Sequence, residues 1–305
     1  MFEKYRIPGL YICKDSVLSC YSCGRTSGLV VDMGDNGTVL SPVLDGWVER
    51  RCINRSVVGG RYLDGVMLSI LKANGVDPEP LFKLTKTMSS DNKIVATKNP
   101  NITNIHPSYE TFMKRSLIKD LKDSVCRMAD SNLTDAGSRY ATIPFSQYEL
   151  PDGTLLDLGM ERFQVPECLV TMPTAAPNEF YSLLSESELN SPHPRMDSVP
   201  RLICDSILSC EPEFHSSLLS NIVVTGGSSS FEGTPERIKA EVENIMYTHM
   251  AGLKVKSIAA GASERHLCTW LGGSILASLG SFHDMWVTGK EYAEYGPDII
   301  DKKCP

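Results

Sequence analysis

The chain has 305 residues, 42% hydrophobic and 22% charged, with a net charge of −7, which is length enough for a large core and two lobes. An acidic balance without a basic block excludes direct, backbone-driven nucleic-acid binding and gives no basis for sequence-specific DNA recognition. No apolar run approaches the roughly 18 residues of a membrane-spanning helix, and Met1-Phe2-Glu3-Lys4-Tyr5-Arg6 lacks an apolar signal core, so an intracellular protein with no membrane partner is expected.

The ten cysteines are then expected as reduced, mostly buried thiols. Cys20-Tyr21-Ser22-Cys23 has metal-knuckle spacing but no second pair, which makes zinc or redox chemistry there the minor reading.

In chain order, Phe2 to Tyr11 reads as a strand entry broken by Pro8-Gly9. Asp15 or Ser16 caps a short helix through Val17, Leu18 and Tyr21, closed by Gly24-Arg25. Gly28 to Thr38 is an apolar strand ending in Asp32 and a Gly34-Asp35-Asn36-Gly37 hairpin tip. Such a tip brings backbone N–H groups close to an anion, and a carboxylate beside it commonly serves a metal. The tip is thus read as one jaw of a phosphate clamp, although Asp-Asn-Gly is also an ordinary turn. Val43 to Trp47 continues as strand, Gly59-Gly60-Arg61 is a boundary, and Val66, Met67, Ile70 and Leu71 have helical spacing.

Lys86 to Ser108 turns polar and loses its apolar period, as a surface insertion would. Leu117, Leu121, Val125 and Met128 lie on one helical face, with Lys122 and Asp123 beside the stripe. These two charges are either simply solvated or aimed at a nucleoside. Tyr148 to Leu155 is a hairpin turning at Pro151-Asp152-Gly153, and Met172 to Arg195 is a second loop insertion. Asn221 to Thr225 is a buried strand running into Gly226-Gly227-Ser228-Ser229-Ser230, a turn suited to holding a nucleotide by its backbone. Thr234 caps the next helix, with Pro235 in its first turn. Trp270 to Leu279 is a helix with a small Gly-Gly-Ser face, followed by a short helical piece through Lys290-Glu291-Tyr292. Two strand-to-glycine turns favour nucleotide binding, yet neither Gly-Lys-Ser/Thr nor Gly-x-Gly-x-x-Gly occurs in a phosphate-loop setting.

Trp270-Leu271-Gly272-Gly273-Ser274-Ile275-Leu276-Ala277-Ser278-Leu279, Met285-Trp286-Val287, Lys290-Glu291-Tyr292 and Lys303-Cys304 closely resemble the end of actin. Further collinear blocks do the same: Met1-Phe2-Glu3, Gly24-Arg25-Thr26, the Asp32 hairpin, Tyr148 to Gly153, Glu161-Arg162-Phe163, Pro166-Glu167 and Gly226-Gly227. The chain is identified as a member of the actin superfamily. Cys13-Lys14, the insertion before the Lys122 helix, Ser278-Leu279-Gly280 and the ending Lys303-Cys304-Pro305 are most similar to the nuclear actin-related protein 4 class.

The resemblance implies an α/β fold of the actin/Hsp70 ATPase type, ribonuclease-H-like, with two lobes around a nucleotide cleft and the first lobe incomplete. Residues 1–23 and 267–305 would be the remnant of the first lobe, and 24–58 and 191–266 the core of the second. Residues 59–190 would form its smaller subdomain, with insertions at about 86–108 and 172–195. It implies ATP with Mg2+ or Ca2+, the metal served by Asp32 through water. Gly34, Asp35 and Gly37 would meet the phosphates, and Lys122 and Asp123 the adenine and ribose. Gly226, Gly227, Ser228 and Phe231 would line the nucleotide, and His266 stands where the family has a lysine near the base.

Two departures bear on mechanism. The family's water-orienting glutamine falls at Asp15 and its hydrolysis histidine at Val39. Losing a group that positions or relays protons for the attacking water typically costs about 10²–10⁴-fold in rate. ATP binding with little or no hydrolysis is therefore expected, with no catalytic residue. The family's first phosphate hairpin has no counterpart, which is read as a truncated sequence, since the first lobe's sheet would otherwise expose unpaired edges.

The functional expectation is a nuclear scaffold subunit of a chromatin-remodelling or histone-acetyltransferase complex. It would pair with actin, grip a long helix of another subunit in a groove near Trp270, Leu279 and Trp286, and offer its insertions as candidate histone contacts. The alternative is a divergent cytoplasmic, cytoskeletal actin that polymerises and hydrolyses ATP, against which Asp15, Val39 and the polar insertions count. A small-molecule kinase would need a base, and Asp32 is the single candidate.

Overall fold

The computed structural model describes residues 1–88, 94–99, 102, 104–133, 143–171, 177–183, 196–250 and 252–304. The first elements are helix α1 (Phe2–Tyr5), strand β1 (Gly9–Leu10) and helix α2 (Asp15–Ser22). The strand expected over Phe2–Tyr11 is thus mostly a helical turn. Tyr5 and Arg6 donate back to the Met1 and Phe2 carbonyls, and Phe2 stacks on Tyr292 with ring centroids 4.6 Å apart. A contact with the far end of the chain overrides the local apolar pattern. At the end of α2, Gly24 takes φ +65° and Arg25 N donates to Cys20 O at 3.0 Å, closing the helix at the expected glycine.

The body is built on a six-stranded sheet. Its first strands are β2 (Gly28–Met33), β3 (Thr38–Leu44), β4 (Trp47–Val48) and β5 (Asn54–Ser56). Helix α3 (Gly60–Ala73), the hairpin β6 (Leu84–Met88) and β7 (Ile94–Lys98), and helix α4 (Pro107–Val125) follow. Next come the hairpin β8 (Ser146–Glu149) and β9 (Leu155–Leu158) and helices α5 (Glu161–Glu167), α6 (Asn178–Ser182), α7 (Val199–Leu208) and α8 (Pro212–Leu219). Strand β10 (Ile222–Thr225), helix α9 (Thr234–Tyr247) and strand β11 (Ser257–Ala259) complete the body. The chain then runs through α10 (Cys268–Ala277), α11 (Phe282–Met285), β12 (Val287–Thr288), α12 (Gly289–Tyr295) and α13 (Ile299–Lys303).

The sheet order is β11-β10-β2-β3-β4, with β5 also on β3. β10 is parallel to β11 and β2, whereas β2 and β3 form the antiparallel hairpin. Side-chain alternation sorts the two faces. Leu29, Val31, Met33, Ile222 and Val224 enter the large core with α3, α4 and α7 to α9. Val30, Val43 and Val223 face the other way, onto Val17 and Cys20 of α2. Asp32, Val39 and Thr225 share the parity of this second set, so they point to the α2 side. Each fully buried Val or Leu contributes roughly 1.5–3 kcal/mol, which is why β2 and β10 hold the centre.

Several local expectations are corrected. The stretch from Lys86 to Ser108, expected as a surface insertion without regular periodicity, includes part of the β6–β7 hairpin and the start of α4. The Leu84↔Lys98 to Met88↔Ile94 ladder satisfies the backbone without needing an apolar period. Residues 89–93, 100, 101 and 103 of that insertion, and 172–176 and 184–195 of the second, lie outside the described residues. The stretch 43–47 spans the end of β3 and a tight Asp45-Gly46 turn rather than one strand. Thr234 does not cap α9: Gly233, at φ +87°, does, and the Thr234 hydroxyl donates instead to Phe231 O. Among the described residues no helix is long and apolar enough to cross a membrane, and no group of three His, Cys, Asp or Glu could hold a metal ion, so Cys20 and Cys23 have no such company.

Candidate functional site

The parallel register of β10 and β2 sets Thr225 opposite Asp32. Both strands therefore release the chain at the same sheet edge, at their carboxyl ends, where α/β sheets commonly bind ligands. The two glycine turns sit side by side and form a single rim. The Ser228 hydroxyl donates to Gly34 O at 3.1 Å, joining one turn to the other.

Backbone crowding makes the rim rigid. Gly226 has φ +89°, and a Cβ there would lie 2.5 Å from Asp32 Oδ1 and 2.5 Å from Met33 O. Gly37, at φ +148°, would drive a Cβ to 2.2 Å from Ser56 O. Gly227 is different, because a Cβ there meets nothing within 4 Å. Its side faces open space at the head of a short 3-10 turn, Gly227–Ser229, whose first N–H groups have no acceptor within the turn. Arg265 pins this turn from behind. Its Nη1 donates to Ser229 O at 2.5 Å and its Nε to Ala260 O at 2.9 Å, while its own carbonyl accepts from Gly226 N and the Thr225 hydroxyl.

Below the rim lies a cavity of about 730 Å³. It brings together Asp35, Lys122, Asp123, Gly227, Ser228, Phe231 and His266 from the expected set. Gly34, Gly37 and Gly226 form the rim's backbone without lining the cavity, and Asp32 lies on the α2 face of the sheet, against Gly226. Of the charged lining, Lys122 and Asp35 pair with residues outside it and Arg127 pairs with Glu232, which leaves Lys119 and Arg162 against Asp123, a small cationic surplus that suits an anionic ligand.

α4 forms the wall opposite the rim. Pro107 starts it, His106 Nδ1 accepts from Ser108 N, and Ile118, Leu121 and Val125 bury its stripe. Lys122 is buried as well, with Nζ 2.6 Å from Asp64 Oδ1 and 3.1 Å from Gly60 O. Its ammonium is thus spent on a buried carboxylate of α3, and what it offers the cavity is its stem. Arg115, two turns earlier, joins Asp64 and Asp35, so charge runs from Lys122 through Asp64 and Arg115 to the hairpin tip. Arg61 adds Asp35 at 3.6 Å and Asn36 Oδ1 at 2.6 Å. Asp123 is the wall's free carboxylate, and partial burial by the wall raises its pKa, with Lys122 opposing. Phe231 is buried and His266 is exposed at the cavity mouth.

Burial pushes the Asp32 carboxyl up, and Asp15 at the start of α2 adds to that rise. Among the described ion pairs none involves Asp32. A desolvated carboxylate beside a second one and without a cation fits a hard, oxygen-liganded divalent ion. Val39 stands opposite Asp32 in the β2–β3 register, so an apolar side chain fills the place beside it. The open backbone at Gly227 and the cationic wall likewise fit a nucleotide.

Asp64, Arg61, Arg115 and Arg265 were not anticipated from the sequence. Arg61, directly after Gly59-Gly60, carried the only local signal. The other three are recognised only by what they touch.

The family model for actin matches residues 1–305. The chain is 36% identical over 308 residues to "Actin-related protein 4" of Oryza sativa subsp. indica, covering all of this chain and 66% of that protein. It is 34% identical over 308 residues to the protein of the same name from Arabidopsis thaliana, with 100% and 67% covered. It is 30% identical over 319 residues to "SWI/SNF and RSC complexes subunit arp42" of Schizosaccharomyces pombe, with 99% and 72% covered. The chain thus spans about two thirds of the length of the first of these relatives. The full-length family match, laid over two glycine turns on adjacent parallel strands, shows that this chain belongs to the actin family.

Proposed function

We propose that this chain is an actin-related, nuclear subunit of a chromatin-remodelling or histone-acetyltransferase complex, which holds ATP with Mg2+ or Ca2+ and hydrolyses it little or not at all. The observation that carries the nucleotide part is the joined rim of Gly34–Gly37 and Gly226–Ser228 above a cationic cavity. When bound, the metal supplies charge neutralisation at the phosphates. Asp32 would hold the metal through water, the rim's N–H groups would receive the phosphates, and Asp123, Phe231 and His266 would border the nucleoside. Lys122 acts here chiefly by fixing α4 to α3 through Asp64, and thereby setting the width of the cavity.

The weak hydrolysis rests on Asp15 and Val39. A carboxylate in place of the neutral amide orients a water differently, and valine at the register partner of Asp32 relays no proton. The complex membership is supported by the name of the Schizosaccharomyces pombe relative, a subunit of SWI/SNF and RSC complexes. Its proposed partners are actin and a long helix from another subunit, with histones as further candidates. Affinity capture from nuclear extract, with the eluate analysed by mass spectrometry, tests this. Recovery of actin together with a remodelling or acetyltransferase subunit supports it, and recovery of a filament of this chain alone refutes it.

A further inference from the structure

From Gly226 to Ser230 every N–H and hydroxyl donor is committed except two. Gly226 N donates to Arg265 O, Ser229 N and the Ser229 hydroxyl to Gly226 O, and Ser230 N to Gly227 O. The Ser228 hydroxyl donates to Gly34 O and the Ser230 hydroxyl to Ala262 O. Among the described residues the N–H groups of Gly227 and Ser228 have no acceptor, and both residues line the cavity. Arg265 fixes this arrangement from both ends of the turn. Its carbonyl accepts from Gly226 N at 3.2 Å and from the Thr225 hydroxyl at 2.9 Å, before the two free N–H groups. Its Nη1 donates to Ser229 O at 2.5 Å, just after them. Ala262, Ser263 and His266 line the cavity and Arg265 does not, so its side chain lies behind the turn. The guanidinium donates only to the neutral carbonyls of Ser229 and Ala260, and among the described ion pairs none includes it. Burial lowers its pKa, as expected for a cation held partly out of water without a pairing carboxylate.

We propose that Arg265 is the positioning residue for the phosphates of the bound nucleotide, an inference that rests on the nucleotide reading above. Its hydrogen bonds hold the Gly227 and Ser228 N–H groups toward the cavity before any ligand arrives. Its unpaired charge, directly behind them, favours an anion in front. Hydrogen bonds to an ionised group are roughly twice as strong as neutral ones, and donors fixed in advance need no reorganisation when the ligand binds. Both effects act on phosphate and leave the nucleoside, bordered by Asp123, Phe231 and His266, almost untouched. Affinity therefore rises from adenosine through AMP and ADP to ATP, and Arg265 accounts for that gradient without contacting the ligand.

The test is the ratio of ATP to adenosine affinity, by titration calorimetry at fixed Mg2+, in the unsubstituted chain, Arg265→Met and Arg265→Lys. In Arg265→Met the ATP affinity should fall on the order of 30-fold, the worth of one charge-assisted hydrogen bond, with adenosine within about twofold. Arg265→Lys keeps the charge, loses the planar fork and should fall between the two. Hydrogen exchange on the unsubstituted chain adds a measurement that no folding defect obscures. ATP should slow exchange at Gly226, whose N–H is bonded to Arg265 O, and at Gly227 and Ser228, whereas adenosine should slow none of them. The proposal is overturned, with nucleotide binding left intact, by an unchanged ATP-to-adenosine ratio in the folded variants, by an equal loss for every ligand, or by equal protection from adenosine. Failure of the unsubstituted chain to bind ATP, ADP, AMP or adenosine overturns the nucleotide reading itself, and this inference with it.

Discussion

The rim and the wall of the cavity are made in opposite ways. At the rim, backbone meets backbone, and glycine is required at Gly37 and Gly226 because a single added carbon would collide with a neighbouring carbonyl or carboxylate. At the wall, charged side chains of α3 and α4 neutralise one another and the hairpin tip in the order Lys122, Asp64, Arg115, Asp35. The rim is therefore fixed before any ligand arrives, whereas the wall is held by charges that a substitution can leave stranded. Stability and ligand affinity should separate along that division.

The most damaging change should be Gly226→Ala at the rim. A left-handed φ and a 2.5 Å approach to both Asp32 Oδ1 and Met33 O leave no place for the methyl group. Strain and overpacking together should cost about 5 kcal/mol, enough to deplete soluble protein. Gly227→Ala, next door but open, should fold normally. Equal loss in both variants, by urea denaturation, would break the distinction. At the wall, Lys122→Met leaves the buried Asp64 carboxylate with Arg115 alone and should cost about 2 kcal/mol. Asp123→Ala should leave stability within about 0.5 kcal/mol, yet weaken ATP roughly tenfold, equivalent to about 1.4 kcal/mol, by equilibrium dialysis. If the two wall variants exchanged effects, Lys122 and not Asp123 would be the ligand contact.

The smallest expected effect is a pH dependence at Asp32. Its folded carboxyl is raised above the unfolded value by burial and by Asp15. The stability this gives is present at low pH and is lost as pH rises through the folded pKa. Asp32→Asn should thus melt at or above the wild-type temperature near pH 7, with the gap closing below about pH 4, where the unfolded carboxyl is protonated. Mg2+ should narrow the neutral-pH gap by stabilising the charged form. A wild-type Tm that rose with pH relative to the Asn variant would contradict the sign.

What the sequence disclosed follows the same division. The rim was legible, because Gly34, Gly37, Gly226 and Gly227 stand directly after apolar strands, and strand-then-glycine has few structural meanings. The central strands and the α4 stripe were legible from periodicity. The arrangement of the two turns was not: only the parallel pairing of β10 with β2 sets them side by side on one rim. Nor was the wall's pairing. Asp64 sits in α3 and Arg115 in α4, and nothing local marks either as a partner of Lys122. The β6–β7 hairpin was missed for a related reason, since a ladder of backbone bonds carries polar side chains as readily as apolar ones. The cap at Gly233 was passed over because Thr234-Pro235 resembles a capped start so well.

The central claim is that the cavity keeps ATP intact, because Val39 and Asp15 surround Asp32 where a proton relay would be needed. Single-turnover incubation with ATP labelled at both the α and γ phosphates, followed by separation of bound from free label, tests it most directly. Retention of both labels in equal amount over hours is the predicted result. Prompt loss of the γ label as free phosphate, with the α label still bound, would contradict the account.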